Sequence, residues 1–244
     1  MRRYFQSGAK TAMWFLAFAV AITSARYFLT RPPLLERTQI LALSRHPIWI
    51  LLHIAGGIVA VTVGLFQFLS ALREAHPKVH RATGYLYLSA VILAGCAGLR
   101  LSTDTPVFAA DALTDLTALD LSFLGLSPSF LGYSASSRFS QEQCYPVMAG
   151  FATLAVTWLV TAGLAFVRAR QRRFEDHRAW MMRSYSLTFA AATVRLVPLP
   201  FLVLTRDPVV AITCTFWSWI LNLAIVEWVI RFGGKPARAL PMAP

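Results

Sequence analysis

Residues 176–200 read DHRAWMMRSYSLTFAAATVRLVPLP, an apolar segment that follows a His-Arg pair and ends at two prolines. Arg195 lies deep inside the segment, and an arginine is costly in lipid unless it faces protein or water. On a helix, five residues of the stretch share one face because of their spacing. They are His177, Met181, Ser184, Thr188 and Arg195. The stretch therefore predicts a membrane helix whose polar stripe faces the interior of a helix bundle.

The composition of the chain is that of a membrane protein. The chain is 57% hydrophobic and 14% charged, and its mean hydropathy is +0.56, which argues against a soluble domain. The net charge of +12 would suit nucleic acid, but the basic residues lie in short connections between apolar runs. That distribution is typical of membrane topology signals and of contact with anionic lipid. We expect the lipid bilayer, and no nucleic acid, as a partner.

The 244 residues predict a single all-α domain, a polytopic membrane helix bundle. A transmembrane helix needs about 20 predominantly apolar residues. The chain has six such runs, at about residues 11–29, 47–72, 82–100, 143–167, 183–205 and 208–230. The first run also allows a cleaved signal peptide with a poor cleavage site at residues 23–25. Apolar residues resume at 27–29, which favours a retained helix.

The charges of the connections predict the orientation. The N-terminus, the loops at 73–81 and 168–183, and the C-terminal tail are basic. The segment 101–142 instead carries five acidic residues and one arginine. Because basic connections stay in the cytoplasm, we expect six transmembrane helices, both termini in the cytoplasm, and 101–142 as a periplasmic loop.

Two blocks of the chain, residues 46–100 and 145–200, carry a specific set of motifs. Its members are His53 with Gly56-Gly57, Gln67-Phe68, His80-Arg81 with Gly84 and Tyr87, His177-Arg178 with Trp180-Met181, Arg183-Ser184-Tyr185, and Arg195. With these motifs the chain resembles a bacterial membrane family known as domain of unknown function 2306. The resemblance implies a multi-pass protein of the bacterial cytoplasmic (inner) membrane and supplies no activity.

Two histidines occupy equivalent positions in the predicted bundle. His80 and His177 each lie at the expected cytoplasmic entrance of a span, and an arginine follows each of them, Arg81 or Arg178. Two histidines at one level on neighbouring helices are suited to hold a haem iron axially. The arrangement is similar to that of the transmembrane b-type cytochromes that move electrons from ascorbate. We therefore predict haem b as a candidate cofactor, with His80 and His177 as iron ligands and both arginines as partners of the propionates.

A second explanation for these pairs is interfacial anchoring, in which the arginine side chains reach lipid phosphates. Spacing and composition do not separate the two explanations. If haem binds, His53 in the outer half of the second span is a further candidate haem ligand. No histidine lies opposite it on the fourth span, so Met148 or an open position would complete that site. A quinone and a membrane protein partner would then exchange the electrons.

Arg195 and His53, both in the outer half of the predicted bundle, define a second candidate site together with Gln67. These three residues predict a pocket for a quinone, a lipid headgroup or a carboxylate, because arginine keeps its charge and its five donors. The alternative is structural, since Pro198 and Pro200 leave carbonyl groups that Arg195 would satisfy.

The chain has no nucleotide-binding, hydrolase or metalloprotease motif, so we do not expect an enzyme that acts alone. Three functions therefore stay open. They are a b-type haem electron carrier, a non-catalytic accessory or scaffold subunit of a membrane complex, and a small transporter with Arg195 at an outward-facing site.

Overall fold

A computed structural model describes residues 2–29, 44–103, 141–196, 204 and 208–232 of the chain. Every element of regular structure in these residues is a helix, which confirms the predicted all-α class. The helices are α1 (Arg2–Leu29), α2 (Pro47–Phe66), α3 (Ser70–Ala75), α4 (Pro77–Ser102), α5 (Gln141–Arg170), α6 (Phe174–Thr188), α7 (Ala190–Leu196), α8 (Pro208–Trp217) and α9 (Trp219–Phe232).

Within the described residues, three helices are long and apolar enough to cross a membrane. They are Pro47–Phe66, Pro77–Ser102 and Cys144–Arg170, and a shorter apolar helix covers Thr11–Ala25. The three long helices match the second, third and fourth predicted spans. The other three spans and the orientation of the termini stay predictions. Most of the predicted loop at 101–142 lies outside the described residues, as do residues 197–203.

The last two predicted spans are each divided into two helices. Phe189 separates α6 from α7, although its backbone stays close to helical, with φ −70° and ψ −9°. Ser218 separates α8 from α9. Helix α6 also begins at Phe174, well before the predicted start at residue 183. The basic connection after α5 is therefore mostly helical, and His177 lies on a helix and not in a loop.

Small residues let α2 and α4 pack closely, in opposite directions. A Cβ atom at Gly56 would lie 2.8 Å from the carbonyl oxygen of Ala90 and 2.9 Å from the Cβ of Ala94. Small residues at such contacts allow close approach of two helix backbones in a membrane. This pair forms the most extensive helix–helix contact in the described structure. The remaining helices pack around this pair. Helix α1 contacts α2, α5 contacts α4, and α6 contacts α5, while α8 lies on α5 and α9 lies on α6.

The turn between α5 and α6 is short and well defined. Arg172 has a left-handed backbone with φ 59°, and its N–H donates to the carbonyl of Ala169 at 3.0 Å. The N–H of Arg173 donates to the carbonyl of Arg168, also at 3.0 Å. These two bonds form a Schellman motif that satisfies carbonyl groups at the end of α5. The motif reverses the chain and places the start of α6 against the last turns of α5.

The predicted inward stripe of α6 is confirmed for its described members. His177 is half-buried, Met181 packs against the core, and Ser184 and Thr188 are buried. The side chain of Arg195 lies outside the described residues, although its backbone belongs to α7. Helix α7 contacts α1, α8 and α9.

Candidate functional site

His80 and His177 lie near one another at the same end of the bundle. Each is in the first turns of its helix, α4 or α6. Seven residues further along α4, the hydroxyl of Tyr87 lies 2.8 Å from the Oγ of Ser184, which is seven residues beyond His177. The two helices therefore run in the same direction and in the same register. The rings of His80 and His177 are close enough for positive charges on them to repel. The sequence prediction that the two histidines share one level is consistent with this geometry.

A backbone carbonyl sets the tautomer of His177. The Nδ1 of His177 lies 2.8 Å from the carbonyl oxygen of Ala165 on α5. A carbonyl only accepts, so Nδ1 carries the hydrogen, and in the neutral ring Nε2 then has the free lone pair. Histidines that bind metals almost always donate their other N–H in this way.

His80 is held differently. Its Nδ1 is buried and has no hydrogen-bond partner in the described structure. One turn into α4, a Cβ at Gly84 would meet only the side-chain amide of Gln67, with Oε1 at 3.3 Å. The face of α4 beside His80 thus has no side chain of its own at the next turn. This end of α4 presents an unpartnered imidazole nitrogen one turn before a glycine that Gln67 of α2 covers.

Two further arginines, Arg73 and Arg168, belong to this end of the bundle in addition to the predicted Arg81 and Arg178. Arg81 and Arg178 are both exposed, and their role as propionate partners stays a prediction. Arg73 on α3 is close enough to His80 to oppose a positive charge on it. Arg168, one turn beyond the Ala165 carbonyl that His177 uses, is half-buried. The sequence does not distinguish Arg168 from the other arginines of its loop, because the difference between them is how deeply each side chain is buried.

A buried hydrogen-bond network closes the interior above the two histidines. The hydroxyl of Tyr87 lies 2.9 Å from the Oγ1 of Thr188 in addition to its contact with Ser184. The Nε1–H of Trp158 on α5 donates to the same Thr188 oxygen at 2.9 Å. All four residues are buried, so the network fixes α4, α5 and α6 to one another.

His53 fastens α2 to α4. Its Nδ1–H donates to the carbonyl oxygen of Ala94 at 2.9 Å, and its ring meets that of Phe151 edge to face at 5.7 Å between centroids. The contact requires Gly98, where a Cβ would lie 3.1 Å from Nδ1. A glycine on the partner helix is the signal that could have indicated this contact from the sequence.

Two of the three residues of the predicted pocket, His53 and Gln67, are not brought together. Gln67 lies at the other end of α2 from His53, about 21 Å away at 1.5 Å per residue. Its Nε2–H donates to the Oγ1 of Thr83 at 2.8 Å, and it is buried. The side chain of Arg195 lies outside the described residues. Within the described part, His53 and Gln67 therefore belong to two separate contacts between α2 and α4.

An ion pair that the sequence did not indicate joins α6 to α9. Arg183 donates from Nε to Oε1 of Glu227, and from Nη2 to Oε2 at 3.1 Å. The guanidinium also lies over the ring of Trp180, 4.5 Å from its centroid. Arg231 lies one turn after Glu227 on the same helix and is more distant, with 3.8 Å between its Nε and the Oε2 of Glu227. Helix α9 is thus held by Arg183 on α6 more than by its own charges.

Among the described residues, no group of three or more histidine, cysteine or acidic side chains is placed to hold a metal ion. The chemistry that this end of the bundle offers is a pair of imidazoles on parallel helices with arginines beside them. Such a pair suits either a ligand with an iron centre or an anionic group.

The fold and this site define an all-α membrane protein with a histidine pair at one end of its helices. The model of the predicted membrane protein family DUF2306 matches the chain over residues 50–131 and 125–230, well over half of its length. The chain therefore belongs to this family, which confirms the resemblance in its motifs. Searches among curated proteins and among solved structures gave no match.

Proposed function

We propose that the protein is a b-type haem electron carrier of the bacterial cytoplasmic membrane, with His80 and His177 as the axial ligands of the iron. One observation carries the proposal. Tyr87 and Ser184 are each seven residues beyond one histidine, and their 2.8 Å contact sets α4 and α6 in register. Histidines at one level on two neighbouring helices are the arrangement that axial ligation requires.

The local chemistry of both rings fits this role. The bond from His177 to the Ala165 carbonyl leaves Nε2 as the nitrogen with a lone pair, the tautomer that binds iron. His80 has a buried nitrogen that no described protein atom satisfies, and an imidazole with unused bonding capacity suits a ligand.

In this account the chain holds and shields the cofactor. When bound, haem supplies one-electron transfer between a quinone and a membrane protein partner. The Ala165 carbonyl orients His177, and the network of Tyr87, Ser184, Thr188 and Trp158 keeps the two imidazoles at one level. The predicted partners of the acidic haem propionates are Arg81 and Arg178. The proposal includes six spans with both termini in the cytoplasm, so that the site faces the cytoplasm.

An absorption spectrum tests the proposal. The full chain is purified from cells supplied with haem, and a pyridine haemochrome assay gives the amount of haem per chain. We expect a Soret band in the wild type and its loss in His80→Ala and His177→Ala, with each variant checked for folding by size-exclusion chromatography. His46→Ala and His76→Ala are the matched controls and keep the band. A folded wild-type protein without a Soret band would end the proposal.

The second candidate is an accessory or scaffold subunit without chemistry of its own. The observation that favours it is the hydrogen-bond network of Tyr87 and its partners, because these buried polar groups satisfy one another and leave no donor for a ligand. Co-purification of a fixed membrane protein partner in a preparation without haem supports this candidate. The transporter function rests on Arg195 and stays a prediction, tested by substrate-dependent stabilisation of the purified protein.

A further inference from the structure

One hydrogen of the half-buried Arg168 side chain lacks an acceptor. Its Nη1 donates to the Oε1 of Gln171 at 2.9 Å, whereas its Nε is buried with no partner in the described structure. Arginine stays charged at any physiological pH, so this N–H cannot be lost by deprotonation. A buried donor of a charged group is costly to leave unsatisfied. An acceptor that the described chain does not supply would remove that cost.

The surroundings of Arg168 favour an anion as this acceptor. His177 is next to Arg168, because its ring bonds the carbonyl one turn earlier on α5. His80 on α4 follows, and Arg73 on α3 is close enough to His80 to oppose a positive charge on it. Here too a buried nitrogen, the Nδ1 of His80, has no described partner. Two unpartnered buried nitrogen atoms therefore belong to one patch of positive and protonatable groups.

Two carboxylates of this region form exposed ion pairs, one of them with Arg73. Asp176 pairs with Arg173 at 2.5 Å, and Glu74 lies 3.6 Å from its neighbour Arg73, with both side chains largely exposed. The segments 70–81 and 168–178 hold eight arginine and lysine residues against three acidic ones. The patch keeps an excess of positive charge, and it lies where α4 begins and α5 ends.

We propose that Arg168 forms a binding site for a phosphate-type anion at the end of α5. An anionic phospholipid headgroup and free phosphate share this chemistry. The position at the ends of two apolar helices puts the site at the level of lipid headgroups, where basic side chains bind anionic lipid. A guanidinium binds a phosphate with two parallel hydrogen bonds when two of its N–H groups face it. The site is independent of haem binding.

Lipid-dependent thermal stability tests the site. The full chain in a neutral detergent is titrated with phosphatidylglycerol, with phosphatidylcholine, and with inorganic phosphate, and the melting temperature is followed. We expect phosphatidylglycerol to raise the melting temperature and phosphatidylcholine to leave it unchanged. A rise with millimolar inorganic phosphate alone would support the site and identify its ligand as the free anion. No rise with either anion would overturn the proposal.

Variants assign the effect to Arg168. Arg168→Gln should raise the apparent dissociation constant for phosphatidylglycerol at least tenfold, and Arg168→Lys, which keeps the charge without the fork of donors, by less. The matched control is Arg170→Gln, two residues further on in the last turn of α5 and exposed, which should bind as the wild type does. An equal response in Arg168→Gln and the wild type would overturn the assignment. Because Arg168 is not an iron ligand, Arg168→Gln keeps any Soret band, so the two proposals fail separately.

Discussion

Gly64→Ala is the substitution for which the structure predicts the sharpest loss of stability. A Cβ at Gly64 would lie 2.6 Å from the Cδ2 and Cε2 of Tyr185 and 2.9 Å from the Cε2 of Tyr87. Neither ring is free to move aside, since both are buried and both hydroxyls are hydrogen-bonded. The hydroxyl of Tyr185 donates to the carbonyl of Val61 at 2.9 Å, one turn before Gly64 on the same helix.

The size of the effect follows from these contacts. Overpacking of a filled core costs about 1–3 kcal/mol, and loss of the Tyr185 hydrogen bond adds about 1 kcal/mol. For a chain of this length each kcal/mol lowers the melting temperature by about 2–4 °C. We therefore expect Gly64→Ala to lower the melting temperature by on the order of 10 °C, measured by thermal unfolding in detergent. Gly57→Ala, where a Cβ meets no atom within 4 Å, should not lower the melting temperature. Equal melting of both variants and the wild type would refute the packing of α2 on α4 and α6.

Three further predictions concern the buried network, the ion pair and the topology. Tyr87→Phe leaves a buried serine hydroxyl without its partner and should cost about 1–2 kcal/mol of unfolding free energy, whereas Tyr85→Phe, at an exposed position, should cost nothing; equal losses would contradict the network. Glu227→Gln should destabilise the protein by about 1 kcal/mol, discounted for partial exposure of the pair, whereas Arg231→Gln, whose side chain is 70% exposed, should have no measurable effect in the same unfolding assay. Reporter fusions in the segment after α4 should report the periplasm, and fusions in the turn after α5 the cytoplasm; the reverse pattern would refute the orientation.

The inward faces of the helices were predictable from the sequence, because they follow from helical periodicity alone. On α2, helical spacing puts His53, Gly56, Ala60, Gly64 and Gln67 on one face, and this face is turned to the interior. The stripe of α6 does the same over its described part. Small residues at spacings of four on this face of α2, Gly56, Ala60 and Gly64, also indicate that a neighbouring helix comes close.

The partners of the polar side chains were not predictable in the same way. His53 and His177 both bond to backbone carbonyls, and a carbonyl leaves no trace in the amino-acid sequence. Glu227 has an arginine one turn away on its own helix, yet its main partner is Arg183, 44 residues distant in the chain. In each case the packing of the helices decides the partner. Periodicity indicates which residues face inward, and tertiary contacts decide what each of them meets.

Electron paramagnetic resonance of the oxidised, purified protein tests the central claim most directly, because it reports the axial ligands of the iron. Two imidazole nitrogens give a strong ligand field and hence a low-spin ferric signal. The account predicts this signal in the wild type and in His76→Ala, and a high-spin signal or loss of haem in His177→Ala. A preparation without a haem signal, or a low-spin signal that persists in both His80→Ala and His177→Ala, would contradict it.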